Sequence, residues 1–162
     1  MTEFKATERR SHALSAVSHG GSYSVKALTS SIEVSVATST GDVVNFGYIP
    51  SNARLLASSR LYWDDLATAG SPTMDLGLAA VDDNLANADD PDALSNGHDL
   101  ATATATGAMA VSAIADVGKE AWDFVASEAS DPGGVLKVTG TTVDAVTTQA
   151  GTVTLELYYV ID

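Results

Sequence analysis

The side chains in this sequence that could do chemistry are few and scattered. There are three histidines, His12, His19 and His98, and no cysteine. A transition-metal site needs imidazoles, thiolates or carboxylates converging from fixed elements. Two of the histidines fall in a polar N-terminal stretch. The third stands beside Asp99 in acid-rich sequence, so a solvated loop histidine is the default reading. Asp82, Asp83, Asp89, Asp90 and Asp92 supply the hard oxygens that calcium takes. Their spacing lacks the sixth-position glycine and twelfth-position glutamate of an EF-hand. Calcium is therefore the minority reading, and an acidic loop held in water by its own repulsion is the main one. No serine sits in a G-x-S-x-G elbow, and no Ser-His-Asp set is marked. Gly133-Gly134 follows Pro132 and lacks a Walker lysine, so it reads as a turn. No catalytic residue and no cofactor is expected.

The charge balance narrows the partners. Eight basic residues face 21 acidic ones, for a net charge of -13. Such a surface repels nucleic-acid backbones and anionic membranes and favours basic partner surfaces. The 162 residues suffice for one domain with a sizeable core. No apolar stretch reaches the eighteen residues of a membrane-spanning helix. MTEFKATERRSHAL has charge but no apolar run after it, so no secretory signal is expected.

The elements that would position any site are strands. Residues 1–22 read as an N-terminal arm, ending in the joint His19-Gly20-Gly21-Ser22, and residues 23–162 as one β-domain. Ile32, Val34 and Val36 alternate with Glu33 and Ser35, the period of a half-buried strand. Val44, Phe46 and Tyr48 share a face of the next strand, which Pro50 ends. Leu55, Ala57, Leu61 and Trp63 share the inner face of a strand from Ala53 to Asp64. Met74, Leu76 and Leu78 alternate again. Residues 79–99 read as a long surface loop with a helical turn near Asp89 to Leu94. Residues 100–126 fit a strand or a helical face, and the Asp116-Val117-Gly118 turn with alternating Trp122 and Phe124 favours two short strands. After the Asp131-Pro132-Gly133-Gly134 turn, LKVTG and TTVDAV read as short strands. The clearest strand is last: Val153, Leu155, Leu157, Tyr159 and Ile161 alternate with Thr152, Thr154, Glu156, Tyr158 and Val160. It should lie at a sheet centre or a subunit interface. About eight strands separated by turns predict an all-β, antiparallel two-sheet sandwich of the jelly-roll kind.

The outer side of the Ala53–Asp64 strand is the candidate interface. Arg54, Arg60 and Tyr62 share it, and arginine and tyrosine are favoured where proteins meet. Tyr158, outward on the last strand, joins them. A homo-oligomer is expected.

The segments GDVVNFGYIPSNARLL, LYWDDLATAGSPTMDLGLA, GKEAWDFVASEASDPGG and GTVTLELYYVID, in that order around an Asp-rich loop, resemble the small structural proteins of tailed bacteriophages that serve as head decoration, or capsid cement, proteins. The match rests on Ile49-Pro50, Ala53-Arg54, Met74 to Gly77, Trp122 and Pro132-Gly133-Gly134, over about residues 30–162. The resemblance implies a jelly-roll-like sandwich without an active site, grouped as trimers or other small rings on the outside of a capsid and bridging its major capsid protein. Similar chains serve instead at the head-tail connection or in the tail. A carbohydrate- or receptor-binding sandwich of a spike or fibre is a further alternative, but it needs exposed aromatics near loop tips. A cupin-type enzyme would need histidines on its strands.

Overall fold

The computed structural model describes residues 24–81, 89–125 and 130–161. The proposed arm, residues 1–22, lies outside them. Among the described residues nine strands form: β1 Lys26–Val34, β2 Val43–Pro50, β3 Ala53–Leu55, β4 Arg60–Trp63, β5 Thr73–Ala80, β6 Asp90–Asp99, β7 Thr104–Met109, β8 Val135–Val143 and β9 Gly151–Ile161. They make two antiparallel sheets, as expected of a sandwich. One has the order β1-β9-β4-β7, with β3 also on β9; the other is β2-β8-β5-β6.

β9 organises the first sheet. Its flawless alternation sends Val153, Leu155 and Leu157 into the core, all fully buried, while Thr152, Thr154, Glu156 and Tyr158 face out. β1 pairs along one side of it, and β3 and β4 along the other. Across the interior lie Leu76, Leu78, Leu136 and Val138 of β5 and β8, also buried. Two inner faces of this kind supply the hydrophobic stabilisation of a sandwich.

The structure corrects five readings. The expected strand from Ala53 to Asp64 is two strands, broken at Leu56 to Ser59. Ser59 bridges the gap: its buried hydroxyl accepts from the Tyr158 N–H at 2.9 Å and donates to the Tyr158 carbonyl at 3.3 Å. A side chain thus replaces the missing ladder rungs. Tyr48 is not an inner-face residue, because a bulge at Phe46 shifts the register between Asn45 and Gly47. Phe46 stays buried, and Tyr48 turns outward with 54% of its surface exposed.

Residues 90–99, read as part of a loop with a helical turn, are strand β6. Its pairing with β5 slips twice, between Met74 and Leu76 and between Leu76 and Leu78, and that erased the two-residue period. The second strand expected in residues 100–126 is absent among the described residues. A 3-10 turn, Ile114–Asp116, and one helical turn, α1 Trp122–Val125, stand there instead. The Gly118 N–H donates to the Leu55 carbonyl at 2.9 Å, and Ala121 N–H to that of Ala53 at 2.8 Å, so the segment covers β3 without forming a regular strand. Finally, the two short strands expected after Gly134 are the single strand β8.

Candidate functional site

β4 and β9 lie side by side, Arg60 opposite Glu156 and Tyr62 opposite Thr154. Their inward partners are buried, so Arg60, Tyr62, Glu156 and Tyr158 are turned to the outer face together. Tyr62 lies across the sheet. A Cβ on Gly107 of β7 would sit 2.7 Å from its ring, so the ring covers a bare glycine in the left-handed region, φ 68°. Its hydroxyl donates to Glu156 Oε2 at 3.3 Å. Burial first, and then the Glu156 charge, raise the phenol above its usual pKa, which keeps it a proton donor. The rest of the face is hydroxyl-rich: Ser31 and Thr154 share a hydrogen bond of 2.8 Å, and Thr152 donates to Glu33 at 3.2 Å.

Arg54 has a different environment. Its guanidinium donates to Glu120 at 2.6 Å and to the Gly118 carbonyl at 3.2 Å. The Trp122 indole N–H donates to the other oxygen of the same carboxylate. Arg54 therefore ties the irregular 118–122 segment to β3. Of the four expected interface residues, three share the outer face and the fourth is engaged within its own chain.

Asp82 and Asp83 lie outside the described residues. Asp89 accepts the Ala80 N–H at 3.0 Å, and Asp90 the Asp92 N–H at 3.4 Å. Burial, then a hydrogen bond with Asp92, push Asp90 above the usual carboxylate range. Among the described residues no three His, Asp or Glu side chains gather into a metal-ion site. Asp89 and Asp90, with Val43, Ala79, Lys137 and Thr141, edge an open groove of about 340 Å³ on the outer face of the β2-β8-β5-β6 sheet.

His98 is not a solvated loop residue. It lies on β6, half-buried, its ring 5.4 Å from that of Trp63. Trp63 in turn donates to the carbonyls of Asp99 at 2.8 Å and Thr102 at 2.9 Å. The Ser95 hydroxyl lies 2.7 Å from His98 Nε2 and 3.2 Å from the Ala110 carbonyl, and the His98 tautomer sets which of the two receives its proton. Burial holds the His98 pKa below its usual value, against a smaller upward pull from Asp75. Asp75 is itself tied to the Gly97 N–H at 2.8 Å. The serine-histidine spacing of three was the signal in the sequence, but it had no meaning until residues 90–99 were known to be a strand.

No protein-family model and no curated protein matches this chain. Among solved structures, a chain of the cyanophage Pam1 capsid asymmetric unit superimposes with a TM-score of 0.57 at 16% identity, over 100% of this chain and 95% of that one. A chain from the capsid of Ralstonia phage GP4 aligns at a TM-score of 0.44 and 21% identity, over 88% and 86%, too loosely to carry an argument. The first likeness is one of fold, extending over the whole of this chain and nearly all of that one.

Proposed function

We propose that this chain is a non-enzymatic structural protein of a phage virion, which decorates the outer surface of the capsid and stabilises it by bridging major capsid protein subunits. The carrying observation is the likeness of fold, end to end, to a chain of a phage capsid asymmetric unit. The side-chain chemistry supports the same reading. The serine beside His98 is buried, with 3% of its surface exposed, rather than open to a substrate. What the fold offers is rigid surface.

In this reading the protein works as a homo-oligomer, a trimer on the strength of the sequence resemblance. Its subunit contact is the outer face carrying Arg60, Tyr62 and Tyr158, with Arg54 at its end. In a chain of net charge -13, Arg60 would find acids in plenty on a neighbouring copy. The arm, residues 1–22, attaches the oligomer to the shell, and the acidic surface faces outward.

The test is to add the purified full chain to capsids lacking it. Saturable co-sedimentation and a higher temperature of genome release are expected. No binding to any capsid, with binding to host-surface glycans instead, would replace this reading with that of a spike or fibre domain. Changing Arg60→Ala together with Tyr62→Ala should lower the mass in solution by light scattering while circular dichroism still reports folded sheet. An unchanged mass would remove that face as the subunit contact.

A further inference from the structure

Beside β3, whose outer side the segment from Gly118 to Ala121 covers, the described strands leave four sheet edges, and three carry devices that stop another strand from pairing with them. β2 has its bulge at Phe46, the Asn45 amide oxygen accepting the Gly47 N–H at 3.0 Å, and Pro50 at its end. β6 slips register twice and carries Pro91 with Asp90, Asp92 and Asp99. β7 is bulged opposite Tyr62, with Gly107 under the tyrosine ring. Bulges, prolines and edge charges are the means by which proteins blunt edges that would otherwise recruit strands.

β1 has none of them among the described residues. It runs nine residues, about 30 Å, in unbroken register with β9, without proline, glycine or bulge. No described strand pairs with its other side. An edge left this regular is one that is covered in the working state.

We propose that the free edge of β1 is an interface for a second copy of this chain, pairing antiparallel to β1 about a two-fold axis at Ser30 and joining the two five-stranded sheets into one. The register is self-complementary. Ser30 meets its own copy, Leu28 meets Ile32 of the second copy on the inner side, and Thr29 meets Ser31 on the outer side. Hydroxyl pairs and aliphatic pairs are both favourable across antiparallel strands. Charge points to the same occupant. The chain carries -13 overall, so two copies repel over most of their surface. β1 contains one lysine and one glutamate, and in this register Glu33 faces Ala27 and Lys26 faces Val34, so no acid meets an acid. Exposed Val25 and Val36, at 60% and 57%, flank the strand and gain cover at its two ends. This contact goes beyond the capsid reading: it is isologous and separate from the β4-β9 face, so it would link one oligomer to the next.

Ser30 lies at the axis, half-buried at the rim opposite Leu155. In the full chain, Ser30→Lys and Ser30→Glu each put like charges about 5 Å apart across the axis. A lone copy can turn the long side chain out to water. Each variant alone should have half the mass of wild type by light scattering, with unchanged circular dichroism. An equimolar mixture should recover the wild-type mass and run as one band on a native gel. Ser30→Cys, in a chain with no other cysteine, should oxidise to a covalent dimer under native conditions. If both charge variants keep the wild-type mass, or the mixture does not recombine, or Ser30→Cys stays uncrosslinked, the proposal is overturned. Variants of unchanged mass that bind capsids poorly would likewise overturn it and assign the edge to a shell segment. No capsid is present in the mass measurements, so they stand apart from the test of virion function.

Discussion

β9 and β6 are strands of similar length, eleven and ten residues, placed in opposite ways. β9 lies inside its sheet, with partners on both sides and every second side chain in the core. β6 lies at an edge, pairs with β5 alone among the described strands, and buries Leu94 and Ser95 while most of its other residues face solvent. The regular strand carries the stability of the sandwich. The broken one carries the half-buried histidine, the tryptophan contacts and the hydrogen-bonded acids Asp90 and Asp92. Within one fold, regularity and side-chain chemistry are segregated.

The largest test of that division is a pair of truncations. Leu155→Ala should cost about 2–5 kcal/mol of unfolding free energy, read by urea denaturation. Leu94→Ala should cost clearly less, because an edge strand can settle into the space. Equal costs would break the comparison. Next is Gly77→Ala on β5. A Cβ there would overlap the Asp90 carbonyl and the Pro91 backbone, which cross directly over it. The expected cost is about 1–3 kcal/mol, with faster amide exchange confined to the start of β6. Exchange that rises across both sheets would show that β6 is not a separable margin.

How far each strand was legible follows from the same contrast. β9, β5 and the Phe46 end of β2 were readable because alternate side chains are buried without interruption, and period two is what such burial imposes. β6 was not, because two slips against β5 move its buried residues out of phase, and Asp90, Pro91, Asp92 and Gly97 have the composition of a loop. Trp122 and Phe124 alternate, yet they sit on a helical turn, because backbone bonds to β3 hold the preceding segment from Gly118 to Ala121. Tyr48 was misplaced by one inserted residue. The outer-face set of Arg60, Tyr62 and Tyr158 was legible from parity alone. The tie of Arg54 to Glu120 was not, since it joins positions 66 apart.

Smaller effects sharpen the picture of β6. With its pKa held below 6.5 in the folded chain, His98 binds its proton more readily unfolded. Its contribution is therefore present at neutral pH and above and is lost as pH falls through 6.5, levelling once the folded ring protonates. The melting temperature of wild type should decline over that interval, and His98→Gln should flatten the decline. Identical slopes would show that Trp63 and Ser95 do not enclose the ring as described. The smallest effect is expected from Asp90→Asn. The Asp90 pKa is raised, so its ionised form is disfavoured by folding at neutral pH. The amide should give a slightly higher melting temperature at pH 7 and none of that gain near pH 3. A loss of stability at pH 7 would mean that the carboxylate charge is used.

The position of β9 also sets a timetable. Ribosomes make β1, β3 and β4 well before the strand that joins them; Ser31 and Thr154, bonded in the finished sheet, are 123 positions apart. Until β9 emerges, β1 lacks its described partner, and the five-stranded sheet has no centre. The β2-β8-β5-β6 sheet is complete one strand earlier. Closure of the first sheet is then a late, long-range event of the kind that slows β-rich domains. It also means that a nascent copy cannot present β1 in its mature form, so self-association through that edge would wait for finished molecules.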